Sequence, residues 1–221
     1  MDTETIARFG RVLLWSLLLC TATGVVGRYA LPEEIYVGLI RVMAGPYADQ
    51  ERVLATRPWT ELIHRVVGIG LLVLGMLQFD PALRRRRPRM HRWSGVAFLA
   101  ATLATAGSGL IFGLLQPFAG IPEQSFVLTV AALLMWFSAI ACNSARLRQI
   151  NRHREWMIRT LGLLFSIGVQ RVYYVALVHL TNTGNTEVFI LANWLALLTV
   201  LVAAETWISL TRVPQPASSF A

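Results

Sequence analysis

Long apolar runs separated by short polar stretches set the pattern of this chain. Six runs are long enough for a bilayer core, which takes about 20 apolar residues per helix. They are Val12–Gly27, Glu61–Phe79, Trp93–Gln116, Ser125–Arg146, Trp156–Leu180 and Val188–Leu210. The runs lack the period-two alternation of strands, and a bilayer forbids open sheet edges. The pattern predicts an all-α integral membrane bundle of six transmembrane helices, forming a single domain over residues 1–221. Residues 28–59 read as an extracytoplasmic loop, in which Ile35, Leu39, Ile40 and Met43 recur at helical spacing and predict short interfacial helices. Residues 80–92 read as a basic cytoplasmic loop and 211–221 as a flexible tail. Arg11 ahead of the first run imitates a secretory signal, but no clean small-x-small cleavage site follows, so that run is read as a span.

Composition sharpens this picture. Only 14% of the 221 residues are charged and 55% are hydrophobic, against roughly 25% charged in soluble domains. This excludes a disordered chain. The net charge of +8 would suit a nucleic-acid binder, but the apolar runs are too long for one. All 20 basic residues are Arg, and their placement gives orientation. Arg84, Arg85, Arg86, Arg87, Arg89 and Arg92 lie between spans two and three, and Arg148, Arg152 and Arg154 between spans four and five. Arg8, Arg11 and Arg212 flank the first and last spans. With six spans all four groups fall on one side, which the positive-inside rule makes cytoplasmic, together with both termini. The Arg84–Arg92 face is also expected to attract anionic lipid headgroups. Trp59, Trp93, Trp156 and Trp207 fall near span ends, as an aromatic belt would place them. Cys20 and Cys142 fall in different spans and read as small buried apolar residues.

The histidines carry the candidate chemistry. His64 opens span two and His179 closes span five at the outer side; His91 and His153 open spans three and five at the inner side. Two helices that present His at matched depth can ligate one iron from both axial positions, as b-type haems are held in helical bundles. His64 with His179 and His91 with His153 are therefore candidate ligand pairs. Arg65, Arg92, Arg154 and Arg171 stand near them as candidate partners of haem propionates. Small residues follow two of the histidines on one helical stripe: Gly68 and Gly75 after His64, and Gly95, Gly109 and Gly113 after His91. Such a stripe suits a flat cofactor and equally suits close helix packing. Inside the spans, Arg171 and Glu205 each need a partner. Arg171 would meet a propionate, backbone carbonyls or Glu205, and depth favours Arg159 as the partner of Glu205.

Three helix starts share a motif. His64-Arg65-Val66-Val67-Gly68 and His91-Arg92-Trp93-Ser94-Gly95 both read H-R-x-x-G, and His153-Arg154-Glu155-Trp156-Met157 begins alike. With Gln78-Phe79, the run His153 to Arg159 and the later Arg171, these residues resemble a bacterial multi-pass membrane-protein family known only as predicted membrane proteins of unknown function. The resemblance spans roughly residues 60–175 and leaves out His179. It implies a multi-pass protein of the bacterial cytoplasmic (inner) membrane, and no reaction. The layout is also similar to that of di-haem transmembrane cytochromes. The leading expectation is thus a haem b-binding electron-transfer protein with a redox partner. The alternatives are a non-redox transporter or lipid-interacting partner without cofactor, and a membrane-embedded enzyme acting on a lipid-soluble substrate.

Overall fold

A computed structural model describes the backbone of residues 3–212 and, before residue 18, the side chains of residues 12, 15 and 16 only. Residues 213–221 of the expected tail, and the side chains of Arg8 and Arg11, lie outside the described residues. Every element is helical: α1 Thr3–Ala30, α2 Glu33–Ala44, α3 Tyr47–Ala55, α4 Pro58–Leu62, a π turn Ile63–Val67, α5 Gly68–Gln78, α6 Pro81–Arg86, α7 Pro88–Leu115, α8 Ile121–Arg146, α9 Ile150–Thr181 and α10 Thr186–Thr211. Among the described residues, five helical runs are long and apolar enough to cross a membrane: Pro58–Gln78 (α4, the π turn and α5 together), α7, α8, α9 and α10.

Local chemistry sets the breaks. Proline opens α4, α6 and α7, where its missing N–H costs nothing. Asp80 caps α6 by accepting the Ala82 N–H at 2.8 Å, and Asn185 caps α10 by accepting the Val188 N–H at 3.0 Å. α9 stops at Asn182 in the left-handed conformation, and Gly45 and Gly120 turn the chain at positive φ between α2 and α3 and before α8.

Helices α5, α7, α8 and α9 follow one another around a four-helix bundle, so that α7 and α9 stand on its diagonal. α10 packs along α9 and touches α8, while α1 lies against α9 and α5. Leu71, Phe98, Ala141 and Met157 fill the bundle toward the arginine-rich end. Tyr47, Tyr174 and Phe189 fill it toward the far end. Val96, Leu198 and Val202 are exposed on the outside, as lipid-facing residues are.

The 28–59 stretch forms the expected short helices, but it is more than a surface loop. α2 buries Tyr36 and Val37 and leaves Ile35, Leu39 and Val42 exposed. α3 turns Tyr47, Ala48, Gln50 and Glu51 inward. Gln50 Nε2 donates to the Gln116 carbonyl at 2.6 Å, and Pro46 rests on Gly184. This stretch therefore caps the far end of the bundle. Two smaller expectations change. Trp59 and Trp93 are exposed as belt residues should be, whereas Trp156 packs on Phe137 at 5.2 Å. Cys20 is exposed on α1 rather than buried.

Candidate functional site

Tautomers follow from the hydrogen bonds. His153 Nδ1 meets the Ala141 carbonyl of α8 at 2.8 Å. A carbonyl only accepts, so Nδ1 carries the proton and Nε2 keeps a free lone pair. His64 Nδ1 meets the Thr105 carbonyl at 3.2 Å and Ser108 Oγ at 3.3 Å, with the same consequence. His91 lies in the first turn of α7, and its Nδ1 is buried without a hydrogen-bond partner.

At the arginine-rich end, His91 stands in the first turn of α7 and His153 in the first turn of α9, on the two helices of the bundle diagonal. A short relay explains the motif around His91. Gln78 Nε2 donates to Ser94 Oγ at 2.6 Å, Ser94 Oγ donates to the His91 carbonyl at 3.1 Å, and a Cβ at Gly95 would sit 3.4 Å from Gln78 Oε1. Gly95 thus leaves room for the glutamine that ties the end of α5 to the start of α7.

The expected outer pair is not brought together. His64 turns toward α7, lying edge-on to Phe112 with ring centroids 5.9 Å apart, while His179 is exposed in the last turn of α9. Nor does His64 open its helix. The helix begins at Pro58, and His64 sits inside the π turn, beyond the first turn of that helix. The glycine stripes are filled by side chains: Gly75 by Leu161 and Phe98, Gly109 by His64, and Gly113 by Val127. They are close-packing contacts.

The expected propionate partners mostly have protein partners of their own. Arg154 donates to Thr211 Oγ1 at 2.6 Å and holds the end of α10. Arg92 is exposed. Arg159 and Glu205 form the two-pronged pair expected from depth, at 2.6 and 2.9 Å. Arg171 does not pair with Glu205, whose carboxylate is on Arg159; its guanidinium lies over the Tyr47 ring, 4.4 Å from the centroid.

A second polar centre, unforeseen in the sequence, lies at the far end. Glu61 takes Arg28 through Nε at 2.8 Å and Arg65 Nε at 3.1 Å, and Glu51 closes on Arg65 Nη2. Both glutamates are buried. Tyr47 sits beside them within a ring cluster of Phe118, Tyr174 and Phe189. Burial raises the Tyr47 phenol above its ordinary value, with the neighbouring Arg171 pulling the other way. The π turn sets His64 and Arg65, neighbours in sequence, to separate tasks, one on α7 and one on this network. Single π turns recur at functional positions. Among the described residues, no group of three or more His, Cys, Asp or Glu side chains is placed to hold a bare metal ion.

Comparison with known families is decisive for kinship. The family described as "Predicted membrane protein (DUF2306)" matches residues 61–208. The chain belongs to this family. No curated protein and no solved structure matches the chain. His64, His91, His153, His179, Arg65 and Arg171 all lie within the DUF2306 region, whereas Tyr47 and Glu51 precede it. The cap at the far end thus comes from chain that the DUF2306 match does not cover.

Proposed function

We propose that this DUF2306 protein is a b-type haem-binding electron-transfer protein of the bacterial inner membrane, with one haem held between His91 and His153. The observation that carries the reading is this pair, on diagonal helices at one end of the bundle, with one ring nitrogen buried and unsatisfied and the other ring fixed in the tautomer that presents Nε2. Two imidazoles are too few for a bare ion but suffice for a porphyrin, which brings four ligands of its own. The Nδ1 bond to the Ala141 carbonyl is the support that metal-binding imidazoles ordinarily have. A bound haem would supply one-electron transfer. The chain's own part is to orient the rings and exclude water. Arg92, exposed one residue from His91, is the arginine left to meet a propionate.

α1 is the sixth span in this reading. Its 28 residues cover about 42 Å at 1.5 Å per residue. That places every arginine-rich loop and both termini in the cytoplasm, beside anionic lipid. The test is an absorption spectrum of protein purified from haem-replete cells. A Soret band that shifts on reduction, persists in His179→Ala and disappears in both His91→Ala and His153→Ala is expected. Absence of the band in the unaltered protein overturns the reading.

A second reading rests on the arginines and glycines. Arg65 and Arg154 bind protein groups, and the glycine stripes are packed. The H-R motifs would then tie helices together in a non-redox membrane protein. In that case His153→Ala lowers thermal stability and removes no chromophore.

A further inference from the structure

The outer face of α7 at the arginine-rich end carries a groove of its own. Arg28, Arg65 and Arg159 each have a carboxylate elsewhere in the fold. Arg89 and Arg92 have neither an ion pair nor a hydrogen bond among the described residues, and both are exposed. α7 supplies no acid to them, since the sequence has none between Asp80 and Glu123. Beside them lies a cavity of about 440 Å³ lined by Arg89, Arg92, Trp93 and Val96. These four stand at i, i+3, i+4 and i+7, so one face of the helix presents two guanidinium groups, then an indole and an isopropyl group. The same face continues apolar and outward. Trp93 is 74% exposed, Val96 and Leu103 are exposed below it, and the exposed Ala97 and Ala100 keep the groove shallow but open between them.

We propose that this groove binds one anionic phospholipid, with its phosphate on Arg89 and an acyl chain laid over Trp93 and along the face to Leu103. The lining selects the class of ligand. Guanidinium groups meet phosphate oxygens with paired N–H donors. An indole at the step from polar to apolar is the usual neighbour of a lipid headgroup. One leaflet is half of a core of about 30 Å, or about ten residues of helix, which is the separation of Trp93 and Leu103. A free phosphate would use the arginines and leave the apolar floor bare. A zwitterionic headgroup would bring its own cation against Arg84–Arg87. A phospholipid without a headgroup cation satisfies both ends of the groove. General attraction of anionic lipid to a basic loop is a different effect, because every arginine between 84 and 92 would serve it alike. The lipid site needs no haem. Arg92 lines the groove and is also the arginine on which the haem reading draws, so the test acts on Arg89 and Trp93.

The experiment counts lipid retained on the delipidated full chain by native mass spectrometry in detergent. Phosphatidylglycerol and phosphatidylcholine with the same acyl chains are titrated at an ionic strength of about 0.15 M, where exposed charges more than about 8 Å apart are largely screened. One phosphatidylglycerol per chain is expected at about a tenth of the concentration that phosphatidylcholine needs. Arg89→Gln is expected to raise the half-saturating phosphatidylglycerol concentration about tenfold, as loss of a charge-assisted partner does. Trp93→Ala is expected to raise it several-fold. Both substitutions fall on exposed side chains, so the fold is not at stake. Arg85→Gln removes the same charge outside the groove and is expected to leave the midpoint within about twofold. Excess inorganic phosphate is expected not to displace the lipid. Equal retention of the two lipids, equal weakening in Arg85→Gln and Arg89→Gln, an unchanged midpoint in Trp93→Ala, or displacement by phosphate overturns the proposal.

Discussion

Glu61 shows how much one buried carboxylate can hold. It accepts from Arg28 of α1 and Arg65 of the π turn, and so joins α1 to the Pro58–Gln78 run. Removing one partner of a buried pair costs about 3–5 kcal/mol, because the remaining charge stays buried and unpaired. Glu61→Gln should therefore lower stability by about that amount, read as the shift in unfolding midpoint in detergent. Arg52→Gln should cost under about 1 kcal/mol, since its pair with Glu34 is exposed. Some of these contacts were legible in the sequence. Glu61 and Arg65 are four apart on one helix, a spacing that alone predicts a pair. Arg159 and Glu205 were matched by depth. Arg171 was not, because its partner Tyr47 comes from α3, more than 120 residues away in a stretch with no apolar run. Glu51 falls in the stretch read as an extracytoplasmic loop, residues 28–59. The signal that would have found it is the shared inward face of Tyr47, Ala48, Gln50 and Glu51 on α3.

At the level of elements, the glycines separate packing from permissiveness. A Cβ at Gly113 would lie 2.6–2.9 Å from three atoms of Val127, so α7 and α8 approach more closely than alanine allows. Gly113→Ala should destabilise by about 1–3 kcal/mol. The same change in a Val127→Ala background should cost clearly less, a coupling that a double-mutant cycle measures. Gly107→Ala, on the same helix with nothing within 4 Å of the added methyl, should be neutral or stabilising by up to about 1 kcal/mol. The sequence placed these glycines on stripes, but a stripe alone does not say whether side chains or a flat ring fill it. The motif at His91 also becomes readable only across two helices, because Gly95 and Gln78 explain each other.

For the whole molecule, the hydropathy pattern carried the all-helical architecture. Five of the six predicted runs became helices long and apolar enough to span, with ends extended by up to six residues. The extension arises because polar first turns such as Pro88–Arg92 continue a helix whose apolar part starts later. With six spans and the arginines inside, green fluorescent protein fused after Arg212 should fluoresce, and alkaline phosphatase inserted after Gly45 should be active. The reverse pattern would show the opposite orientation. The cap was the least legible part, since short helices held by Tyr47, Gln50 and Pro46 leave little trace in hydropathy. The π turn at Ile63–Val67 has one more consequence. A π turn is an α-helix with one residue too many, so deleting one residue there restores α geometry. It also turns everything before it by about 100° relative to everything after it. Such a deletion would leave composition, hydropathy and span count almost untouched, yet swing Glu61 away from Arg28. The Pro58–Gln78 run thus works as a set-screw: its thread, one residue out of step, fixes the angle at which the cap end meets the bundle.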